Sequence, residues 1–261
     1  MRIKSFAVSG VALLTLGGAL AGCKDSGSDA AAPTATQATS AAAAPTESAT
    51  ATATGTASAA AGNGVAGLTA AEIVTKAKAA LKDAKSFRAK GTTTEDGQKL
   101  NLDMEVRGTD ALGRLSVGTA TVELLSVGGK QYMKPNAAFW TTLGGLKAAE
   151  AKTVIALMGN RWLIVKKKGG DLSSFFESVK VDEILKPAGT VTKVAGKQIG
   201  DYPTVGVKDS KGGTLYVATT GAPYPIRIDG GADGSFAFSD FGKTFTDLKK
   251  PADAEVVDLN Q

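Results

Sequence analysis

The chain contains no histidine, and its only cysteine is Cys23. A disulfide needs two thiols, whereas zinc sites, Ser-His-Asp triads and Cys-His dyads need histidine or further cysteines. The composition therefore excludes these chemistries. We expect a protein that is not an enzyme, with no catalytic residues, no metal site and no cofactor.

The sequence matches a phosphate-binding loop only weakly. Gly128, Gly129 and Lys130 resemble the end of such a loop, but Gln131 follows the lysine and the upstream glycine is missing. Two adjacent glycines instead supply the positive φ angles of a tight hairpin. We interpret this stretch as a turn between two strands.

Residues 1–22 have the pattern of a secretory signal, with Arg2 and Lys4 ahead of an uncharged apolar run at 6–20. This run is shorter than the roughly 20 residues that span a bilayer. It ends in Leu-Ala-Gly-Cys, which resembles a lipobox. The pattern predicts cleavage before Cys23, lipid attachment to its thiol, and a protein anchored on the extracytoplasmic face of the cell membrane. An ordinary secretory signal that happens to contain a cysteine is the alternative.

Between the lipid-bearing cysteine and the folded domain, residues 24–67 are almost entirely Ala, Thr, Ser, Gly and Pro. Such a segment cannot bury a core, which predicts a disordered tether over 23–67 and one globular domain over 68–261. A flexible coil of this length reaches about 40 Å. Its Thr and Ser residues are either plain spacer or sites for O-linked sugars.

The domain begins with a predicted helix, because Thr69 and Glu72 stand at capping-box spacing. Apolar side chains then recur at helical spacing on one face, which must pack on something. These are Ile73, Val74, Ala77, Leu81 and Ala84.

Alternating apolar residues predict a four-stranded antiparallel meander at 100–106, 112–117, 119–127 and 130–134. Helical spacing returns at 151–158, which Gly159 ends, and at 171–179, with a short extended stretch at 162–165 between them. Further strands are predicted at 190–198, 202–208, 213–219, 224–229 and 235–241. Pro225 begins its strand or lies at a sheet edge. This order predicts an α+β domain with helices gathered on one sheet face.

The lipobox, the low-complexity tether and this element order resemble the actinobacterial LppX/LprAFG lipoproteins. The likeness includes Tyr132, Trp140, the stretch 224–227, the segment 239–243 and Pro251. It implies a LolA-like half-barrel, in which helices cover a bent antiparallel sheet and a hydrophobic cavity lies between them. It further implies a carrier of lipid or lipoglycan acyl chains within the cell envelope. An envelope sensing or protein-binding module without lipid cargo is the alternative, and the sequence identifies no protein partner.

Eight apolar residues lie on the predicted faces of sheet and helices that would line such a cavity. The alternative is that they fill a solid core. They are Leu102, Met104, Leu124, Val154, Ile155, Met158, Phe175 and Phe176.

The formal charge of the chain is +5, and removal of Arg2 and Lys4 leaves +3. One dense basic run consists of Lys166, Lys167 and Lys168. It is either a contact for anionic lipid headgroups or a solvated loop. We expect no nucleic-acid partner, because basic and aromatic residues are not interleaved.

Overall fold

The computed structural model describes residues 62–95, 97–165, 175–177 and 180–258. Gly62 forms an isolated β-bridge with Thr220. Asn63 donates from Nδ2 to the carbonyl oxygen of Ala218 at 3.0 Å, and Val65 is buried. The folded part of the chain thus includes residues 62–67, which we had expected to belong to the tether.

Helix α1 (Ala70–Asp83) starts where its capping box predicts. The Glu72 amide donates to Thr69 Oγ1 at 3.4 Å, and the Thr69 amide donates to Glu72 Oε2 at 2.9 Å. These bonds satisfy amides that have no partner within the helix. The predicted apolar stripe is buried at Ile73, Val74, Ala77 and Leu81.

Six strands follow in an antiparallel meander, in which each pairs with the next along the chain. The predicted meander is confirmed, and the hairpin glycines Gly128 and Gly129 have φ of 55° and 75°. The sequence analysis missed the first of these strands. They are β1 (Ser86–Glu95), β2 (Gln98–Arg107), β3 (Asp110–Val117), β4 (Ala120–Val127), β5 (Lys130–Pro135) and β6 (Trp162–Val165).

The second half of the sheet is also antiparallel. The strand predicted at 190–198 is interrupted after Val194. Within the interruption, Gly196 passes so close to the Thr204 carbonyl that a β-carbon there would lie 1.5 Å from its oxygen. Pro225 is the first residue of a strand inside the sheet rather than at an edge. The strands are β7 (Val191–Val194), β8 (Gln198–Ile199), β9 (Tyr202–Asp209), β10 (Thr214–Ala218), β11 (Pro225–Asp229) and β12 (Gly234–Ser239).

Pairing between β1 and β12 joins the two halves, from Arg88 opposite Ser239 to Thr93 opposite Gly234. A last short strand, β13 (Val256–Val257), pairs in parallel with β6. The strand order is β13-β6-β5-β4-β3-β2-β1-β12-β11-β10-β9-β7, with β8 paired to β9. The sheet is open, and the predicted α+β fold with a bent, largely antiparallel sheet is confirmed.

Two helices lie between β5 and β6. Helix α2 (Ala137–Thr142) was missed by the sequence analysis and begins at Asn136, whose Oδ1 accepts from the Phe139 amide at 2.9 Å. Helix α3 (Ala148–Met158) ends at Gly159, as predicted. Of the helix predicted at 171–179, residues 175–177 are helical and the other positions lie outside the described residues. A one-turn helix follows at Val181–Ile184.

The sheet has two different faces. The face that we call the inner face carries Phe87, Met104, Leu124 and Leu215, which share one apolar cluster with the buried side of α1. The opposite, outer face is polar over most of β1–β4. Near β5 and β6 it carries a second apolar cluster of Leu125, Tyr132 and Leu248, to which the C-terminal segment 240–258 contributes Phe245, Leu248 and Val256.

Candidate functional site

The inner face brings together five of the eight residues predicted to line a cavity. Met104, Leu124, Phe175 and Phe176 are buried in the cluster, and Leu102 is half-buried against it. The two phenylalanine rings meet edge to face, with centroids 5.3 Å apart. Sheet and aromatic side chains thus form one continuous apolar site.

Gly113 shapes the centre of this site. It stands on β3 directly between Met104 of β2 and Leu124 of β4. A β-carbon built on Gly113 would lie 2.9 Å from Cζ of Phe175. The Phe175 ring therefore rests on bare backbone, in a notch between two larger apolar side chains.

The other three predicted residues lie on α3. Met158 is buried, whereas Val154 and Ile155 are half-buried. Their neighbour Leu157 is 61% exposed. Arg161 donates to the carbonyl oxygens of Leu157 and Met158 at 2.8 and 3.0 Å and so satisfies the end of the helix. Within the described residues these α3 side chains are not part of the inner-face cluster.

Further apolar residues that were not predicted to line a cavity pack against the same cluster, among them Leu115, Met133 and Phe139. Leu115 and Met133 face inward on β3 and β5 and are half-buried. Their alternation with polar neighbours was a signal that could have identified them. Phe139 also packs there, but it lies on α2, which the sequence did not reveal.

The outer face carries a ladder of alternating charge. Successive cross-strand partners from β1 to β5 are Lys90, Asp103, Arg114, Glu123 and Lys134. The Lys90 ammonium lies 3.0 Å from Asp103 Oδ2, and Arg114 is paired with Glu123. At the last rung, Lys134 Nζ lies 5.6 Å from the centroid of the Trp162 ring. Opposite charges directly across strands stabilise a sheet, so the ladder explains the polarity of this face structurally.

Arg88 forms a two-point hydrogen-bonded pair with Asp103 on this surface. Its Nε and Nη2 donate to the two Asp103 oxygens at 2.7 and 2.6 Å. Burial opposes ionisation of Asp103, but the hydrogen bonds from Arg88 and Lys90 outweigh it and lower the pKa of that carboxyl. Burial raises the pKa of Glu105, which lies on the same strand and only 3.8 Å from Arg88. The pKa values of these two neighbouring carboxyls are thus shifted in opposite directions.

Two of the surface depressions among the described residues lie over the strands of the sheet. One, of about 360 Å³, lies over β1–β3 and is lined mainly by outer-face side chains, together with Gly91 and the predicted residue Leu102. The other, of about 460 Å³, lies beside β7 and β9 and includes Ala66 and Gly196. Leu102 is the one predicted cavity residue that lines either of them.

Several predicted features lie outside the described residues. They are Cys23 with its lipobox, the tether up to residue 61, and Lys166, Lys167 and Lys168. Across the part that is described, no helix combines the length and apolar character needed to cross a membrane. The same residues include no group of three or more acidic, histidine or cysteine side chains placed to hold a metal ion.

No protein-family model and no curated protein matches the chain. Among solved structures it is similar to LprF from Mycobacterium bovis, at 15% identity and a TM-score of 0.45, over 70% of this chain and 97% of that one. It is similar to lipoprotein LppX from Mycobacterium tuberculosis at 17% identity, with a TM-score of 0.39, over 65% and 92%. An uncharacterized conserved protein from Thermus thermophilus has 13% identity and a TM-score of 0.38, over 72% and 98%. The names LprF and LppX are those of members of the LppX/LprAFG lipoproteins, which the sequence resembles.

Proposed function

We propose that the protein is an exported lipoprotein that binds acyl chains of a lipid or lipoglycan on its inner face and carries them within the cell envelope. The inner-face cluster carries the proposal. Leu102, Met104 and Leu124 lie there on strands whose opposite face is charged, and Phe175 and Phe176 belong to the same apolar cluster. Contact with apolar side chains is what stabilises a bound acyl chain, by roughly 0.8 kcal/mol for each buried methylene.

The side chains of helix α3 suggest where the acyl chain enters. Its apolar side chains range from buried Met158 through half-buried Val154 and Ile155 to exposed Leu157. We infer that this helix lies beside the path by which lipid enters and leaves.

Lipid attachment at Cys23 completes the proposal. A thiol modified with diacylglycerol would hold the chain at the membrane, and the predicted tether would place the inner face within about 40 Å of it. Replacement Cys23→Ser is expected to release the protein into the growth medium. Retention of that variant in the membrane fraction would count against the anchor, without bearing on lipid cargo.

Mass spectrometry of bound lipid tests the cargo. The full chain carrying Cys23→Ser, which lacks its own acyl chains, is purified without detergent and extracted with organic solvent. We expect a lipid with at least one long acyl chain in stoichiometric amount. Recovery of none, together with failure to bind a fluorescent fatty acid, would exclude the carrier function.

A matched pair of variants locates the bound lipid. Met133→Trp enlarges a half-buried side chain of the inner face and is expected to reduce the recovered lipid several-fold. Asn101→Trp places the same bulk on an exposed position of the outer face and is expected to leave it unchanged. Thermal melting of both proteins shows whether the fold is retained. Equal lipid recovery from the two would contradict binding on the inner face.

A further inference from the structure

The charge ladder of the outer face continues beyond β1, across the seam between the two halves of the sheet. Cross-strand register extends one row of side chains from β5 to β11, and every second strand of this row contributes a cation. Neighbouring strands lie about 4.8 Å apart, so the four cations recur about every 10 Å over a length of about 29 Å. We call this set the cationic row. Its members in spatial order are Arg227, Ala237, Lys90, Asp103, Arg114, Glu123 and Lys134.

The cations of the row are more exposed than the carboxylates between them. The Lys90 side chain is 57% exposed, whereas that of its partner Asp103 is 22% exposed. Arg114 is 59% exposed and its partner Glu123 27%. Two carboxylates, moreover, stand against four cations. Ion pairing within the sheet therefore leaves positive charge at the surface of the row, where a ligand can reach it.

Charged groups on the neighbouring rungs do not cancel this excess. Arg88 and Glu105 are cross-strand partners and add one charge of each sign. At the β11 end, a single carboxylate faces two cations. Asp229 Oδ2 lies 3.5 Å from Arg227 Nε and 3.3 Å from Lys197 Nζ. The row thus keeps its positive charge at this end as well.

A depression of about 360 Å³ lies along the middle of the row. On one side it is lined by Lys90 and Arg114 of the row. On the other it is lined by the next rung, where Thr92, Asn101 and Ser116 are cross-strand neighbours. Hydroxyl and amide groups both donate and accept hydrogen bonds. The lining therefore suits a ligand that carries anionic groups and hydroxyl groups together.

We propose that the cationic row binds a linear anionic glycopolymer, a carbohydrate or polyol chain with phosphate or carboxylate groups along its length. The cations form a line, and the depression lies along that line, so an extended chain matches the site better than a membrane surface does. Anionic groups of the polymer pair with the exposed cations, and its hydroxyl groups enter the depression. The site lies on the face opposite the inner face and is independent of lipid cargo.

Substitution of Ala237 tests the row without removing any ion pair. This residue is exposed and lies between Arg227 and Lys90. Ala237→Glu adds a carboxylate between the two cations, whereas Ala237→Gln adds the same bulk without charge. Titration calorimetry of the full chain carrying Cys23→Ser measures binding of poly(glycerol phosphate) and of polygalacturonate. We expect the Glu variant to bind roughly tenfold more weakly than the Gln variant, because it neutralises two contributing cations.

A second pair of variants separates the row from net charge. Lys90→Gln/Arg114→Gln removes the two central cations and is expected to weaken binding roughly tenfold. The matched control removes two lysines of α1, whose buried side packs on the inner face. These are exposed Lys76 and Lys82, which is paired with Asp182 at 2.8 Å. Lys76→Gln/Lys82→Gln is expected to leave binding unchanged. Thermal melting shows whether each variant is folded.

Salt and comparison ligands complete the test. Affinity of the parent is expected to fall on the order of tenfold between about 50 and about 200 mM salt, because paired charges release counterions. Uncharged dextran should not bind. Binding of only one of the two polymers supports the proposal and identifies the anionic group that is preferred.

Four results would each overturn the proposal. The first is that neither polymer binds, and the second is equal affinity of the Glu and Gln variants. The third is an equal loss in the α1 variant, since binding would then follow net charge alone. The fourth is tighter binding to phosphatidylglycerol vesicles with the same sensitivity to Ala237→Glu, which would make the occupant a membrane surface. None of these results bears on lipid cargo, which is measured separately by extraction.

Discussion

The ring of Phe175 lies directly on the backbone of Gly113, and a β-carbon on that glycine would come within 2.9 Å of the ring. The residues are far apart in sequence, yet their contact determines how closely the short helical segment at 175–177 approaches the sheet. Gly113 is flanked in register by Met104 and Leu124, so the ring is held on both sides.

A methyl group at this position tests the contact. Gly113→Ala is expected to lower stability by about 1–2 kcal/mol, because the ring must move out of its notch. A strand otherwise tolerates alanine better than glycine. The free energy of unfolding in urea measures the effect. In a Phe175→Ala background the same substitution should be nearly neutral, and an equal loss in both backgrounds would contradict the contact.

The charge ladder predicts unequal roles for its two neighbouring carboxyls. Asp103→Asn is expected to reduce stability at neutral pH by about 2 kcal/mol, because Arg88 and Lys90 lose the negative charge of Asp103 and one of its two acceptor oxygens. Glu105→Gln on the same strand should be neutral or slightly stabilising, because burial already disfavours the ionised form and raises its pKa. Thermal melting of the two variants at pH 7 compares them. Equal losses would show that the opposite pKa shifts have no energetic meaning.

Acid titration provides a second test of Asp103. Its pKa is lower in the folded chain than in the unfolded one, so its contribution is complete above the ordinary aspartate pKa of about 3.9 and is lost as pH falls through the folded value. The melting temperature of the parent should therefore fall more steeply below pH 4 than that of Asp103→Asn. Parallel curves for the two proteins would rule out this linkage.

The C-terminal segment is predicted to be an integral part of the fold. Leu248 is 1% exposed against Leu125 and Tyr132, and its carbonyl accepts from Arg107 at 2.9 Å. Leu248→Ala is expected to cost about 2–4 kcal/mol and to make the segment sensitive to protease. Leu157→Ala, at an exposed position, is the control and should cost little. Similar melting temperatures for the two variants would contradict the packing.

Asn63 ties residues 62–67 to the sheet. Its side chain donates to the carbonyl oxygens of Ala218, the last residue of β10, and of Gly221 in the β10–β11 connection, and it accepts from the Val65 amide. Asn63→Ala is expected to lower stability by about 1–3 kcal/mol. Chemical denaturation measures this, with the exposed Asn101→Ala as control. No loss at Asn63 would mean that residues 62–67 contribute little to the fold.

The sequence predicted those elements in which side-chain pattern and local chemistry agree. Helix α1 has both a capping box and an apolar stripe, and β2–β5 alternate clearly between glycine turns. Strand β1 was missed because its inward positions are mostly small, including Ala89 and Gly91. A β-carbon on Gly91 would lie 2.7 Å from the Phe236 ring. The ring of Phe236, a residue distant in sequence, therefore occupies the space that a side chain of β1 would otherwise fill.

The candidate site was predictable only in part, for a related reason. Met104 and Leu124 follow from strand period, because a residue on a buried face is detectable from its own neighbours. The notch at Gly113 depends on a side chain from residue 175, which no local pattern specifies.

The pairing of β1 with β12 has a consequence for how the chain folds. Each half of the sheet is a meander of near neighbours, whose contacts form with little loss of chain entropy. Arg88 opposite Ser239, however, joins residues from opposite ends of the folded chain. Closure of so long a loop carries most of the topological cost and slows folding. The two meanders are therefore expected to assemble first, and their union along this one seam to be the slow step.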